Sequence, residues 1–171
     1  VREAGEPGKK IHTGRSRNDQ VIMAARLWLR SRLCALADTM GEVVDLFLDK
    51  GEEHARTLMP GYTHTRQAMP SSVGQLFFSV AEGLILELET LQSPLHLAHR
   101  SALGSASGYG VPLSLNRQKV ADLLGLGGVD INTIHVQNTR GRLEASAVYS
   151  MHQISIALSR FATDLIWFSS E

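Results

Sequence analysis

The sequence predicts an all-α protein, a bundle of long helices forming a single helical domain over residues 1–171. Two observations carry that reading. No proline occurs between about Arg15 and Leu58, where Val21, Ala25, Trp28, Leu29, Leu36, Met40, Val43, Val44, Phe47 and Leu48 recur largely at three- and four-residue steps. Near the other end Ala147, Met151, Ile154, Leu158, Phe161, Leu165 and Phe168 alternate four- and three-residue steps, the seam of coiled-coil-like packing.

The elements follow in order. The first helix fills Arg15 to Leu58, with relaxation expected near Gly41 and Gly51, since glycine weakens a helix interior. A second helix begins after Pro70, where Ser71 and Ser72 can cap it, and carries Val73, Phe77, Val80, Leu84, Leu88 and Leu91; Pro94 should kink or end it. Residues 101–114, SALGSASGYGVPLS, hold three glycines and a proline and must be irregular backbone, read as a tight structural turn because no strand precedes it and no lysine follows as a phosphate loop requires. Asn116 to Leu124 suggests a short helix before the last long one. Trp28, Trp167 and the stripe from Met151 to Phe168 are expected in the core, because helical periodicity alone explains them.

Seventeen basic and seventeen acidic side chains cancel, which argues against nucleic acid or an anionic membrane as partner, since both need a basic surface. Cys34 has no intrachain partner, and no apolar run approaches the roughly 20 residues of a membrane span, so a cytoplasmic protein is expected. The first residue is Val1, which suggests a fragment of a longer chain. A helix of about 40 residues is about 60 Å long, against a radius of gyration of about 15 Å for a compact chain of this size. Continuous apolar seams must find partners along their length, so a homo-oligomer is expected.

Two clusters carry chemistry. HTGRSRNDQ, residues 12–20, packs Arg15, Ser16, Arg17, Asn18 and Asp19 at the start of the first helix. There, unpaired backbone N–H groups and the helix dipole already favour anions, so the motif suits a carboxylate substrate; a solvated, ion-paired helix start is the alternative. MPGYTHTRQAMP, residues 59–70, is read as a loop between rigid helices with Thr63 and His64 at its centre and Arg66 and Gln67 as further polar contacts. Histidine exchanges protons near neutrality and so suits acid–base work, although a structural hydrogen bond would explain a loop histidine as well. His12, His54, His96, His99, His135 and His152 are read as structural or solvated, and no pair has the spacing and companion ligands of a metal site.

HTGRSRNDQ, then PGYTH, then LGSASGYG together closely resemble argininosuccinate lyase, of the fumarase and aspartase superfamily, and its non-catalytic relatives the delta crystallins. The first motif is highly specific, the second moderately, the third weakly. The resemblance runs through essentially the whole chain and implies the central domain of that fold, without the amino- and carboxy-terminal domains, in a homotetramer whose active sites draw on three subunits. It implies reversible cleavage of argininosuccinate to arginine and fumarate. A base removes a proton beside a carboxylate, an acid protonates the departing guanidino nitrogen, and no metal or organic cofactor takes part.

The resemblance also distributes roles. Arg15, Ser16, Arg17 and Asn18 match the family's first substrate-binding motif, Thr63 a substrate-contacting threonine, and His64 the histidine assigned to proton transfer, directly or through a neighbour. Gln67 and Arg140 are weaker matches. After PGYTH the family usually has LQ and then RAQP where this chain has Thr65, Arg66, Gln67, Ala68, Met69 and Pro70, and Thr139 and Gly141 flank Arg140 where aspartates are usual. The family's serine-bearing loop does not occur within these residues, so the fragment alone is expected to be inactive. The alternative class is a non-catalytic helical scaffold of the delta-crystallin kind.

Overall fold

Residues 3–170 are described by a computed structural model. Seven helices and one hairpin follow in order: α1 (Gly5–Gly8), α2 (Arg17–Glu53), β1 (Leu58–Thr63), β2 (Arg66–Ser72), α3 (Val73–Glu89), α4 (Gln92–Ala98), α5 (Arg117–Leu123), α6 (Thr133–Asn138) and α7 (Arg142–Phe168). The chain is mostly helical, as its periodicity predicts. No helix among the described residues is long and apolar enough to cross a membrane.

Several local expectations change. α2 runs without interruption through Gly41 and Gly51. Pro94 neither kinks nor ends the second long helix: α3 already stops at Glu89, and Pro94 lies buried in the first turn of α4, where a proline forfeits no intrahelical bond. Trp28 is 61% exposed and Trp167 50%, so periodicity marked them apolar without placing them inside this chain. α6 has no counterpart in the periodicity reading, being six residues capped by the Asn132 side chain on the His135 N–H.

The fold gathers into two compact units, one of Val1–Arg32 with Ser93–Ser146, the other of Leu33–Gln92 with Ala147–Glu171. In the second, Phe47 of α2, Phe77 of α3 and Phe161 of α7 meet, with centroids 4.9 Å apart for Phe47 and Phe161 and 6.0 Å for the other two pairs. Leu33, Val44, Leu84, Leu91 and Ile154 are buried in this unit. The end of α2 and the start of α3 answer each other's unpaired backbone groups. The Gly74 N–H donates to the His54 carbonyl at 3.0 Å and the Val73 N–H to the Thr57 carbonyl at 2.9 Å, while the Ser72 hydroxyl caps Gln75. That approach needs glycine, because a Cβ on Gly74 would lie 2.5 Å from the Gly51 carbonyl oxygen and one on Gly51 would lie 2.5 Å from the Phe78 ring.

In the first unit Met23, Ala121 and Leu126 form a small core, with Leu27, Leu103, Leu124 and Val129 against it. Arginines stitch its irregular segments. Arg26 donates from Nη1 to Asp130 Oδ2 at 2.7 Å and to the Arg100 carbonyl at 2.8 Å, and Arg100 donates from Nε to Asp130 Oδ1 at 2.9 Å. Burial pushes the Asp130 carboxyl up, but the hydrogen bonds and charges of Arg26 and Arg100 together outweigh it and hold the group below the usual carboxylate range.

Gly74→Ala should cost about 1–3 kcal/mol through overpacking against backbone that cannot yield, read as a lower urea midpoint. A folded-state pKa depressed at Asp130 means that its contribution is complete above the unfolded value of about 3.9 and is lost as pH falls through the lower folded value. Urea midpoints measured from pH 7 to pH 3 should therefore fall more steeply for the parent chain than for Asp130→Asn, which at pH 7 should lose on the order of 3 kcal/mol by leaving two arginines unpaired.

Candidate functional site

The first motif is built around a capping exchange. Ser16 precedes α2, and its hydroxyl accepts the Asn18 N–H at 3.3 Å while Asp19 Oδ1 accepts the Ser16 N–H at 3.0 Å, the reciprocal pattern of a capping box. Arg15, Arg17 and Asn18 are exposed, and among the described residues their side chains have no hydrogen-bond or ion-pair partner, so their donors remain available. Gln20 Nε2 and His12 Nδ1 lie 3.3 Å apart.

Asp19 rules out the alternative of a solvated, ion-paired helix start, because it is fully buried and pairs with backbone alone. Its second oxygen, Oδ2, accepts the N–H groups of Gly104 and Ala106 at 3.0 and 2.9 Å. The glycine-rich segment is thereby tied to the motif: Gly104 (φ +85°) and Ala106 (φ +50°) take left-handed backbone so that both N–H groups turn onto one oxygen. The spacing of Ser16 and Asp19 signalled the capping half of this role; no signal in the sequence linked Asp19 to residues 85 and 87 positions away.

Arg140 occupies the turn between α6 and α7, made possible by Gly141 at φ +86°. It lines a cavity of about 80 Å³ together with Val21 and Ile22, which follow the motif on α2, and Thr139 and Glu144. The structure thus brings Arg140 to the same end of α2 as Arg15, Ser16, Arg17 and Asn18, within the first unit.

The second cluster belongs to the other unit and is not a loop. Residues 58–72 form an antiparallel hairpin in which Thr63 pairs with Arg66 and Pro60 with Pro70, with an irregularity between Pro60 and Tyr62. Pro60 and Pro70 are tolerated because in a two-stranded ribbon each has a free edge to face. His64 (φ +52°) and Thr65 (φ +63°) form the tip, both left-handed, the arrangement of a two-residue turn of the primed type that glycine and asparagine normally fill. A β-branched threonine there is strained, of order 1–3 kcal/mol. Thr63 and His64 are exposed, and Gln67 donates from Nε2 to the Tyr62 hydroxyl at 3.4 Å. The Tyr62 ring packs on Trp167 and Phe168 of α7, at 6.3 and 6.0 Å between centroids, which anchors the hairpin.

No group of three or more His, Cys, Asp and Glu among the described residues is placed to hold a metal ion. The first unit offers cationic and amide donors at the head of α2, and the second an exposed histidine at the tip of its hairpin. If Asp19 holds the glycine segment, Asp19→Ala should cost on the order of 3 kcal/mol by stranding three backbone N–H groups. Hydrogen exchange at Gly104 and Ala106 should speed up well beyond the global loss of stability; unchanged protection at those amides would show that the segment is held by something else.

Comparison with known proteins bears on what these donors serve. A family profile described as "Lyase" matches residues 2–171. The argininosuccinate lyase of Parabacteroides distasonis is 40% identical over 171 residues, all of this chain and 38% of its own length; that of Sorangium cellulosum is 42% identical over 169 residues, 99% of this chain and 39% of its own. The chain thus spans about two-fifths of these relatives. Among solved structures, an EDDS lyase variant with bound fumarate superposes with a TM-score of 0.92 at 26% identity, over 99% of this chain and 34% of that one. A fumarate lyase, delta crystallin, from Brucella melitensis bound to cobalt superposes at 0.81 and 22% identity over 99% of this chain and 38% of that one, sharing the fold. On the match across nearly its whole length, this chain belongs to the lyase family.

Proposed function

We propose that this chain is the central part of an argininosuccinate lyase that cleaves argininosuccinate reversibly to arginine and fumarate in the cytoplasm. The observation that carries the reading is identity of about 40% to argininosuccinate lyases over the whole chain, with HTGRSRND and PGYTH intact. In this reading Arg15, Ser16, Arg17 and Asn18 bind substrate carboxylates, with Arg140 and Gln67 as further contacts. Thr63 and His64 serve the reacting end, His64 in proton transfer. Fixed donors around the carboxylate that takes up the carbanion's charge supply much of the rate. The chemistry uses no cofactor.

The same reading makes the active form a homotetramer. Support comes from apolar side chains left open on the long helices: Leu46 and Trp28 on α2, Leu86 on α3, Val148, Tyr149, Ile166 and Phe168 on α7. Only part of the α7 seam is covered within the chain, Ala147 and Ile154 being buried while Leu165 and Phe168 are more than two-fifths exposed. Such faces call for partner helices.

The test is release of fumarate from argininosuccinate by the full-length protein, followed by absorbance. An inactive full-length protein would favour the scaffold reading. In an active one, His64→Asn should lower turnover by roughly 10²- to 10⁴-fold while leaving assembly intact. Asparagine is the apt replacement because it tolerates the left-handed backbone that His64 adopts, so the hairpin keeps its shape. Near-wild-type turnover in that variant would remove His64 from the chemistry.

A further inference from the structure

A cavity of about 270 Å³ in the first unit lies between the segment entering α2 and the start of α5. Three cations line it, Lys10, Arg15 and Arg117, and no carboxylate does. Among the described residues none of the three forms an ion pair, although the chain as a whole is electrically balanced. Arg117 is the unusual member. Half-buried, it donates from Nε to the Leu103 carbonyl at 3.0 Å, from Nη2 to the Asp130 carbonyl at 2.7 Å and from Nη1 to the Ile131 carbonyl at 3.4 Å.

Those carbonyls fix the guanidinium in place but leave its charge uncompensated, and of its five N–H groups two remain, one on each terminal nitrogen. Of the other half-buried arginines of this unit, Arg26 and Arg100 pair with Asp130, while Arg30 donates to the Gly125 carbonyl and does not line the cavity. Gly104 is part of the construction, because a Cβ there would lie 2.8 Å from Arg117 Cγ. A half-buried charge without a counter-ion is costly, and three like charges around one cavity repel, so an anion entering it relieves both penalties.

We propose that this cavity binds a small aliphatic dicarboxylate. Three cations suit a dianion, and one carboxylate can take the two free Arg117 N–H groups as a fork. Leu103, Leu115 and Val120 supply an apolar wall that a hydrocarbon stem covers and a bare inorganic anion does not. The volume falls just under the roughly 300–1,000 Å³ of pockets that hold drug-sized molecules, which sets the ligand at a few carbons. Of the substrate motif only Arg15 lines the cavity; Ser16, Arg17 and Asn18 do not. The cavity therefore adjoins the site assigned to substrate and shares Arg15 with it, while Lys10 and Arg117 belong to the cavity alone.

The experiment is isothermal titration of the full-length protein with succinate, with inorganic phosphate and neutral succinamide as controls. Succinate should bind saturably, more tightly than phosphate, and succinamide should not bind. Lys10→Glu should weaken succinate by at least about 10-fold through like-charge juxtaposition. Lys10 is exposed, so the fold is retained, checked by an unchanged Tm without ligand. Leu115→Trp, which fills the cavity without altering charge, should weaken it comparably, and Asn18→Ala should leave it in place. Loss of binding in Asn18→Ala with retention in Lys10→Glu would put the anion in the substrate motif and overturn the proposal. Equal affinity for phosphate, or no saturable binding in the millimolar range, would overturn it too.

Discussion

A buried carboxylate cannot stand alone in a protein interior, and Asp19 meets that constraint entirely with main chain. One oxygen takes the N–H of Ser16, the other the N–H groups of Gly104 and Ala106. Three directed donors replace the water that the carboxylate gives up, and each donor is an amide that would otherwise be stranded. The consequence is architectural: the head of α2, which presents Arg15, Arg17 and Asn18, and the irregular segment after α4 become one rigid piece. Left-handed backbone at Gly104 and Ala106 is the cost of turning both N–H groups to the same oxygen.

The rest of the first unit repeats that logic with the charges reversed. Segments 99–105 and 125–131 have little regular structure of their own, one bridge between Ser101 and Val129 excepted. Arginine side chains reaching backbone carbonyls hold them instead: Arg26 at residue 100, Arg30 at Gly125, Arg117 at residues 103, 130 and 131. A planar guanidinium can bond several carbonyls at fixed angles, which suits it to fastening irregular chain. At Arg26 and Arg100 the Asp130 carboxylate neutralises the charge; Arg117 bonds only carbonyls and lines a cationic cavity.

The second unit relies on close packing. Gly51 and Gly74 let the end of α2 and the start of α3 approach until their unpaired carbonyls and N–H groups bond each other, which leaves neither helix end stranded. From that junction springs the hairpin bearing Thr63 and His64, steadied by Tyr62 against the last turns of α7. A histidine at a strained two-residue tip is held by backbone rather than by side-chain partners, and the conformational freedom it would have on a loop is removed.

Periodicity and punctuation in the sequence were enough to locate the long helices α2, α3 and α7, the Ser72 cap, the short helix α5 and the irregular glycine segment, because each depends on residues within a few positions of one another. Arg15 to Asn18 and the pair Thr63 and His64 stand out as local clusters for the same reason, and their roles belong to the proposed function. What needed the tertiary structure joins residues far apart: Asp19 with Gly104, Arg26 with Asp130, Gly51 with Gly74. The hairpin belongs with these. Residues 59–70 read as a loop in the sequence, and the ribbon forms because Tyr62 has aromatic rings of α7 to pack on, more than 100 residues away. Burial divides in the same way: an apolar stripe shows that a face must be covered, but Trp28 and Trp167 show that coverage within the chain is decided only by which surfaces the fold brings together.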